Sequence, residues 1–407
     1  MKKGLFVFLI IFYSQLSAQI SITGKVTTTT NIALEGASVY LNNTTIGVST
    51  KSDGQFELTT KPGIYELIIS YIGYKTIRFN LNTSQYKKPF DFQLAEEENI
   101  LNEVVLKKTI YNEDWKFNLK QFKTNFIGKT NLSKQCELLN PKILHFEFDK
   151  TSNTLTAEAR EPLKLKHKGL GYLITVDLEL FQLGQNKVHY LGYTRFENLK
   201  GSKRKQKKWK KNRRKAYNGS KMHFVRSLIN NTAKEEGFLI NFFRRELNSK
   251  RPKDHQIKHA RNIIKLTGIG LVNFQKKITK PITQIDSAIV VLRKASLPKY
   301  ADYLYKSDAH QKEITTKINN KHVLSFKNYI SVIYQNEPEE TNYVMGPFGK
   351  KRQTLNVQTS SMVMLTKSAI LEKTGEIINP LDVFYEGYWA YEQFADTLPL
   401  NYQPIDD

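Results

Sequence analysis

The chain of 407 residues holds 62 lysines and arginines against 38 acids, a formal net charge of +24, and a single cysteine, Cys136. One cysteine excludes an intramolecular disulfide and a multi-thiolate metal cluster, so stability has to come from burial. At 40% hydrophobic and 12% aromatic residues, the chain can bury a core and is long enough for two domains.

The chain opens MKKGLFVFLIIFYSQLSAQ. Two lysines, an apolar run from Leu5 to Tyr13 and the small pair Ser17-Ala18 follow the pattern of a secretory signal peptide over residues 1–18. The run is shorter than the roughly 20 residues that span a bilayer. No cysteine follows it, which disfavours a lipid-anchored start, and the mature chain is expected to begin near Gln19. Export changes how the charge is read. In the cytoplasm such a basic surface would point to nucleic acid. Outside the inner membrane the available polyanions are lipid headgroups, lipopolysaccharide and acidic glycans, and nucleic acid is disfavoured. The charge is also uneven: residues 19–106 hold seven Lys/Arg and nine Asp/Glu, 7 − 9 = −2, so the surplus lies in residues 107–407.

Residues 19–94 read as about seven short strands. ISITGKV, ASVYLNN, TTIGVST, QFELTT, YELIISY, YKTIRFNL and FDFQL are separated by turn chemistry, including Asp53-Gly54 and Pro62-Gly63. In YELIISY, the residues Tyr65, Leu67, Ile69 and Tyr71 share one face. Turns every 8–12 residues predict an antiparallel sandwich. The order Gly24-Lys25-Val26, Leu34-Glu35-Gly36-Ala37-Ser38-Val39, Ile46-Gly47, Thr50, Asp53-Gly54-Gln55-Phe56, Gly63, Tyr65 and Tyr71-Ile72-Gly73-Tyr74 resembles the carboxypeptidase regulatory-like domain, a transthyretin-like sandwich. The resemblance implies an envelope protein of Bacteroidota, in which this module often precedes a TonB-dependent outer-membrane receptor. LNEVVL (Leu101–Leu106), within an expected linker at 95–106, resembles the segment that joins module to receptor plug. A receptor barrel needs many tilted strands of about ten residues each, and the residues after 106 are too few and lack that alternation. The module itself brings no catalytic zinc site.

Residues 107–407 read as one α+β domain rich in antiparallel sheet. YNEDWKFNLKQFKTNFIG has helical apolar spacing at Trp115, Leu119, Phe122 and Phe126, and strands dominate from Ile143 to Phe196. KGSKRKQKKWKKNRRKAYNGSK (200–221) then has twelve cations in twenty-two positions and no acid. Trp209, Ala216, Tyr217, Phe224, Val225 and Leu228 fall roughly on one helical face, and Gly219-Ser220 reads as a helix kink and not a nucleophile. Further strand-like runs are EEGFLINFFRREL, SLPKYADYLY, HVLSFKNYISVIYQ, TNYVMGPFG and QTLNVQTSSMVML. WKKNRRKAYNGSKMHFVRSL (Trp209–Leu228), Glu236-Gly237-Phe238 and EGYWAYEQFADTLPLNY (Glu386–Tyr402) resemble a group of Bacteroidota proteins with the same N-terminal module. That resemblance implies an architecture and a compartment, and brings no catalytic residues.

Candidate chemistry is sparse. His255 and His259 have the i, i+4 spacing of zinc ligands, but Gln256 stands where H-E-x-x-H needs glutamate. His310 and Glu313 have the H-x-x-E spacing of zinc carboxypeptidases without a third ligand at a workable distance. His145 and Glu147 share a strand face, where pairing within the sheet is the simpler reading. No G-x-S-x-G elbow occurs, and LTGIGLVNF lacks the context of a nucleotide loop. In YEGYWAYEQF, burial of Tyr388, Trp389 and Phe394 competes with a ligand platform on which Glu386 or Asp396 would accept hydrogen bonds.

The sequence thus favours an exported binding or adaptor protein without an enzymatic role and without a cofactor or metal. Its binding residues would be Lys207, Lys208, Trp209, Lys210, Lys211, Arg213 and Arg214, with Glu386, Tyr388 and Trp389 as a second set. The partner would be an anionic envelope surface, of lipid or lipopolysaccharide, or another envelope protein. The alternative is a peptidase-like envelope hydrolase with its site in residues 107–407.

Overall fold

The computed structural model describes residues 19–97, 109–184, 187–267, 278–344 and 356–404. The expected signal segment, the linker from residue 98, the pair Gly268 and Gly270, and the part of TNYVMGPFG from Met345 lie outside the described residues.

Seven strands form the first unit: β1 (Ile20–Thr28), β2 (Ser38–Leu41), β3 (Gly47–Ser49), β4 (Gln55–Thr60), β5 (Ile64–Ser70), β6 (Ile77–Asn82) and β7 (Phe90–Leu94). They make two sheets, β4-β1-β7 and β3-β2-β5-β6. One pair departs from the antiparallel expectation: β7 runs parallel to β1. Alternation decides what faces inward. Phe56 and Leu58 of β4 meet Tyr65, Leu67 and Ile69 of β5 in a closed core with Ile22, Val26 and Phe92. This is the sandwich expected for a carboxypeptidase regulatory-like domain.

The outer face of β3-β2-β5-β6 is not left to solvent. Tyr40, Ile68 and Arg78 are neighbours across three strands on that face, and Tyr40 and Ile68 are 4% and 0% exposed. They pack against the next unit. The Tyr40 hydroxyl donates to Asp177 at 3.0 Å, and Arg78 pairs with Glu179 at 2.7 Å and lies 4.6 Å over the Tyr193 ring. The turn after β2 is clasped from two sides. The Asn43 N–H donates to the Thr194 carbonyl at 2.7 Å, Phe196 N–H to the Thr44 carbonyl at 2.9 Å, and Leu400 N–H to the Asn43 carbonyl at 2.7 Å.

That next unit holds α1 (Glu113–Phe122), β8 (Cys136–Leu138), β9 (Leu144–Asp149), β10 (Thr154–Ala159), β11 (Leu163–His167), β12 (Tyr172–Gly184) and β13 (Lys187–Asn198). The long β12 pairs with β11, β10 and β13, all antiparallel. Phe122 and Phe126, from α1 and the turn after it, stack against Phe181 and Phe394 over this sheet. Two helices follow, α2 (Lys203–Tyr217) and α3 (Lys221–Asn230).

The last unit comprises β14 (Phe238–Leu247), α4 (Asp254–Leu266), α5 (Gln284–Lys294), β15 (Tyr300–Lys306), β16 (Thr315–Ile318), β17 (Lys321–Leu324), β18 (Tyr329–Pro338), β19 (Val357–Met364), β20 (Ala369–Glu372), β21 (Glu376–Ile377), β22 (Val383–Gly387) and α6 (Tyr388–Tyr391). Its main sheet is β15-β14-β18-β19-β22, with a smaller sheet β16-β17-β20-β21. Residues 109–404 therefore contain two hydrophobic cores. One is built from residues 122–217 with Phe394–Leu398, and the other from Phe224 to Trp389. Helix α5 had no counterpart in the sequence reading, because its Ile-Val-Val run suits a strand as well as a helix.

Tyr40→Phe leaves the half-buried Asp177 carboxylate without its Tyr40 donor. The variant should lose about 1–3 kcal/mol in urea unfolding of the whole chain. Unfolding identical to wild type would show that the two units do not meet there.

Candidate functional site

Helix α2 is held by one face only. The Trp209 indole N–H donates to the Lys168 carbonyl at 2.9 Å, Asn212 Nδ2 to Gly169 at 2.8 Å, and Arg213 Nε to Leu170 at 2.7 Å. The Arg213 guanidinium also stacks 3.9 Å from the Tyr172 ring centre. Positions 209, 212 and 213 are helical neighbours, so a single stripe collects the carbonyls of the β11–β12 turn. Gly171, at φ +74°, lies against the Trp209 ring, where a Cβ would collide. Trp209 and Arg213 therefore seat the helix and are not free to bind a partner, which corrects their assignment as binding residues.

The opposite face carries Lys203, Arg204, Lys207, Lys208 and Lys211, all exposed, and Lys205 is exposed one turn before Trp209. Lys210 and Arg214 are half-buried and engaged within the fold. Lys215 is exposed and lies 3.9 Å from Glu340. The free cations stand in i, i+4 series: Lys203, Lys207, Lys211, and Arg204, Lys208. Like charges at that spacing destabilise a helix by about 0.2–0.5 kcal/mol per pair. Cations in the first turn also oppose the helix dipole. This stripe costs the helix stability, and the buried face offsets that cost.

The chain breaks at Gly219, with φ +73° and no room for a Cβ beside Tyr334. Ser220 then caps α3, its side chain accepting from His223 N–H at 3.2 Å. His223 is fixed at both nitrogens. Nδ1 accepts from Gly219 N–H at 3.1 Å, and Nε2 faces Glu236 at 2.6 Å. Thr232 Oγ1 donates to the other Glu236 oxygen. Burial lowers the His223 pKa while Glu236 raises it, and burial prevails. The constellation resembles a catalytic triad in composition only, because no ring nitrogen is left to accept a substrate proton. His167 is similarly closed, between Leu170 N–H and the Ala395 carbonyl, and burial holds its pKa down at about 4.

The aromatic cluster resolves toward packing. Tyr388 and Trp389 are 4% and 3% exposed, and the Trp389 indole donates to the Gly219 carbonyl at 2.7 Å. Glu386 takes Arg245 in two bonds at 2.9 and 2.8 Å. A ligand platform of Glu386, Tyr388 and Trp389 is corrected to a core helix beside an ion pair, since no ring face or free carboxylate is presented.

The same segment contributes to a feature the sequence did not announce. Where the two cores meet, Glu392 and Asp396 lie near Lys221, with Glu337 and Glu340 near Glu392, and Tyr388 and Tyr391 near Glu340. Burial and then Asp396 push the Glu392 carboxyl well above its usual range, with Lys221 opposing. Burial raises Asp396 to about 7. Its Oδ2 is buried without a hydrogen-bond partner. Lys221 is pulled down by burial and lies 5.2 Å over the Tyr385 ring. Glu340 is held by Asn131 N–H at 2.9 Å and the Tyr391 hydroxyl at 3.3 Å. Glu392 and Asp396 share this buried space with Lys221, while Lys215 lies 3.9 Å from Glu340 at its edge, so burial and like charge favour the protonated forms of Glu392 and Asp396. The seam holds protons near neutral pH, and its contributors come from four separated segments.

The histidine spacings do not converge. Among the described residues no three His, Cys, Asp or Glu side chains are placed to hold a metal ion. His310 caps a short helical turn with Glu313, and His145 lies 3.8 Å from Glu147 on its own strand. His255 and His259 line an open cleft between α4 and α5.

Comparison with known proteins bears on the first unit. Residues 22–106 match the family model of the CarboxypepD_reg-like domain. A TonB-dependent receptor from Formosa agariphila is 32% identical over 105 residues, which is 25% of this chain and 10% of the receptor. A crystal structure of a protein from Bacteroides fragilis, described as membrane-associated and of unknown function, aligns over 91% of this chain and 95% of that one. At 10% identity and a TM-score of 0.16, it carries no argument.

Two outcomes check the geometry. Arg213→Lys keeps the charge but loses the planar fork, and should cost about 1–3 kcal/mol in unfolding, whereas Lys207→Glu should change stability by less than about 0.5 kcal/mol. The seam sets a pH dependence. From about pH 4, the unfolded value, to about 7, the folded Asp396 keeps a proton that the unfolded chain has released. Stability from this group therefore falls as pH rises through that window, and Glu392 acts in the same direction. Asp396→Asn should raise Tm at about pH 8 by several degrees relative to wild type and little at about pH 4.5. An equal effect at both pH values would contradict the raised pKa.

Proposed function

We propose that the chain is an exported cell-envelope protein that binds rather than catalyses, and that the outward stripe of α2 is its contact with an anionic lipid surface. The envelope location is supported by the module shared with a TonB-dependent receptor and by the secretory pattern of the first eighteen residues. The sandwich acts as an adaptor, fixed to the body through Tyr40, Arg78 and the clasped turn at Asn43–Thr44.

The observation that carries the reading is the placement of the α2 cations. Trp209, Asn212 and Arg213 already hold the helix, so six exposed cations serve no packing purpose and weaken the helix by mutual repulsion. A surface that costs stability and points outward is selected for what it meets. Near an anionic membrane each Lys or Arg contributes about 1 kcal/mol, within a Debye length of roughly 8–10 Å. Six cations on a rigid helix need only partial contact for appreciable binding.

The protein should co-sediment with vesicles containing phosphatidylglycerol at low salt and be released at high salt. The variant Lys203→Glu, Lys207→Glu, Lys208→Glu, Lys211→Glu should lose at least about tenfold in low-salt partitioning, with Tm near that of wild type. Vesicles containing lipopolysaccharide, run in parallel, report which anionic surface is preferred. Equal sedimentation of wild type and variant would reduce the stripe to a solvated face.

A further inference from the structure

A second cationic element lies elsewhere in the fold and differs from α2 in chemistry. Strand β14 pairs with β18 only as far as Phe243. From Arg244 to Leu247 it pairs with β15 alone, as a two-stranded arm whose residues are mostly exposed. Arg245 fastens the base of this arm to Asp302 and Glu386. The arm carries the α4–α5 hairpin, which belongs to none of the three main cores. Ile257 and Ala260 of α4 and Ala288 and Ile289 of α5 are its buried residues. Leu247, the last residue of the ten-residue β14, lies at the opposite end of the strand from Phe238, which packs against α3. At about 3.3 Å per residue the hairpin stands roughly 30 Å from the α2–α3 corner.

The hairpin is amphiphilic at its far end. Leu266, the last residue of α4, is 87% exposed, and Ile282, two residues before α5, is 91% exposed. Lys265 and Lys280 flank them and are exposed. Between the helices runs an open cleft of about 540 Å3 with Ile263, Ile282 and Val291 in its lining and His255 and His259 on one side. Residues 248–267 and 278–299 hold ten Lys/Arg and two acids, 10 − 2 = +8. Both acids are committed, Asp254 to Arg251 at 2.8 Å and Lys299 at 3.6 Å, and Asp286 to the α5 cap through Thr283. A basic surplus with aliphatic side chains at a protruding end is the chemistry of a helix that lies in a lipid interface.

We propose that the far end of the α4–α5 hairpin inserts shallowly into an anionic bilayer, with Leu266 and Ile282 among the acyl chains and Lys265 and Lys280 at the headgroups. This contact is independent of the α2 stripe. The two differ in salt response: a purely cationic stripe is released when salt screens it, whereas buried aliphatic surface holds on.

The test uses the full chain and vesicles of phosphatidylglycerol with phosphatidylethanolamine, at low salt and near 1 M salt, where the Debye length is about 3 Å. Wild type should retain a bound fraction at high salt. Leu266→Asn with Ile282→Asn, both at exposed positions, should lower that fraction at least about tenfold. The fourfold α2 variant should leave it within about twofold. An Ile282→Trp variant should shift its emission to the blue on adding vesicles at high salt. Absence of salt-resistant binding, its persistence in the double variant, or an unshifted Ile282→Trp spectrum would each overturn the proposal. Loss only in the α2 variant overturns this contact and leaves the α2 reading standing. Loss at high salt only in the hairpin variant supports this contact, and the α2 reading is removed only if the α2 variant also binds like wild type at low salt.

Discussion

The buried guanidinium of Arg226 is the point on which the assembly of this chain depends. Among the described residues it has no carboxylate partner. It donates to three backbone carbonyls, Thr374 at 3.0 Å, Tyr402 at 2.9 Å and Leu400 at 2.9 Å, and lies 5.5 Å over the Tyr217 ring. A buried charge left without such partners costs several kcal/mol, so the three acceptors and the helix are mutually required. By fixing the C-terminal tail on α3, Arg226 sets Leu400 and Asn401 against the turn of the N-terminal sandwich. Leu400 N–H then bonds Asn43, and Asn401 exchanges two hydrogen bonds with Thr45. One side chain thus links the ends of the chain through the middle.

The same corner explains why α2 can carry its charges. A helix with ten cations over residues 203–215 and no acid would be marginal alone, through repulsion and an unfavourable dipole. Trp209, Asn212 and Arg213 replace intrinsic helix stability with docking onto one tight turn. Gly171 lets the indole approach that turn, and Gly219 ends the helix so that α3 can redirect toward the second core. Rigid attachment by one face leaves the cations oriented and without acidic neighbours on their own helix. The α4–α5 hairpin solves a different problem, because it is attached by a narrow arm and shows aliphatic groups with its charges. One element offers charge alone, and the other offers charge with apolar surface.

The proton-holding seam between the two cores is a consequence of how they meet. Tyr388 and Trp389 need burial, and the chain that follows them carries Glu392 and Asp396 into the same space. Glu337 and Glu340, at the end of β18, arrive from the other side. Lys221 supplies counter-charge to Glu392 and Asp396, Lys215 lies beside Glu340, and burial favours protonation of Glu392 and Asp396. Hydrophobic closure of the cores stabilises an arrangement whose electrostatics are unfavourable above neutral pH.

Local pattern was enough for much of this protein. The seven strands of the sandwich, the inward face of Tyr65, Leu67 and Ile69 and the helical face of Trp209 and Tyr217 were legible. Each depends on side-chain periodicity or turn chemistry within about a dozen residues. The parallel pairing of β7 with β1 was not, since strand direction is set by the path of the chain and not by alternation. Ile68 showed the same limit: an apolar residue on the wrong face of β5 signals a second packed surface, but only the structure shows that β12 and β13 supply it. The division of the α2 cations into docked and free depended on a turn some forty residues away. The carboxyls of the seam, the clasp at Asn43 and the arm beneath α4–α5 join residues tens to hundreds of positions apart. Sequence determined which segments could bury a face, because burial follows local period. Tertiary structure decided which charges were left outward, because pairing depends on distances that local order does not contain.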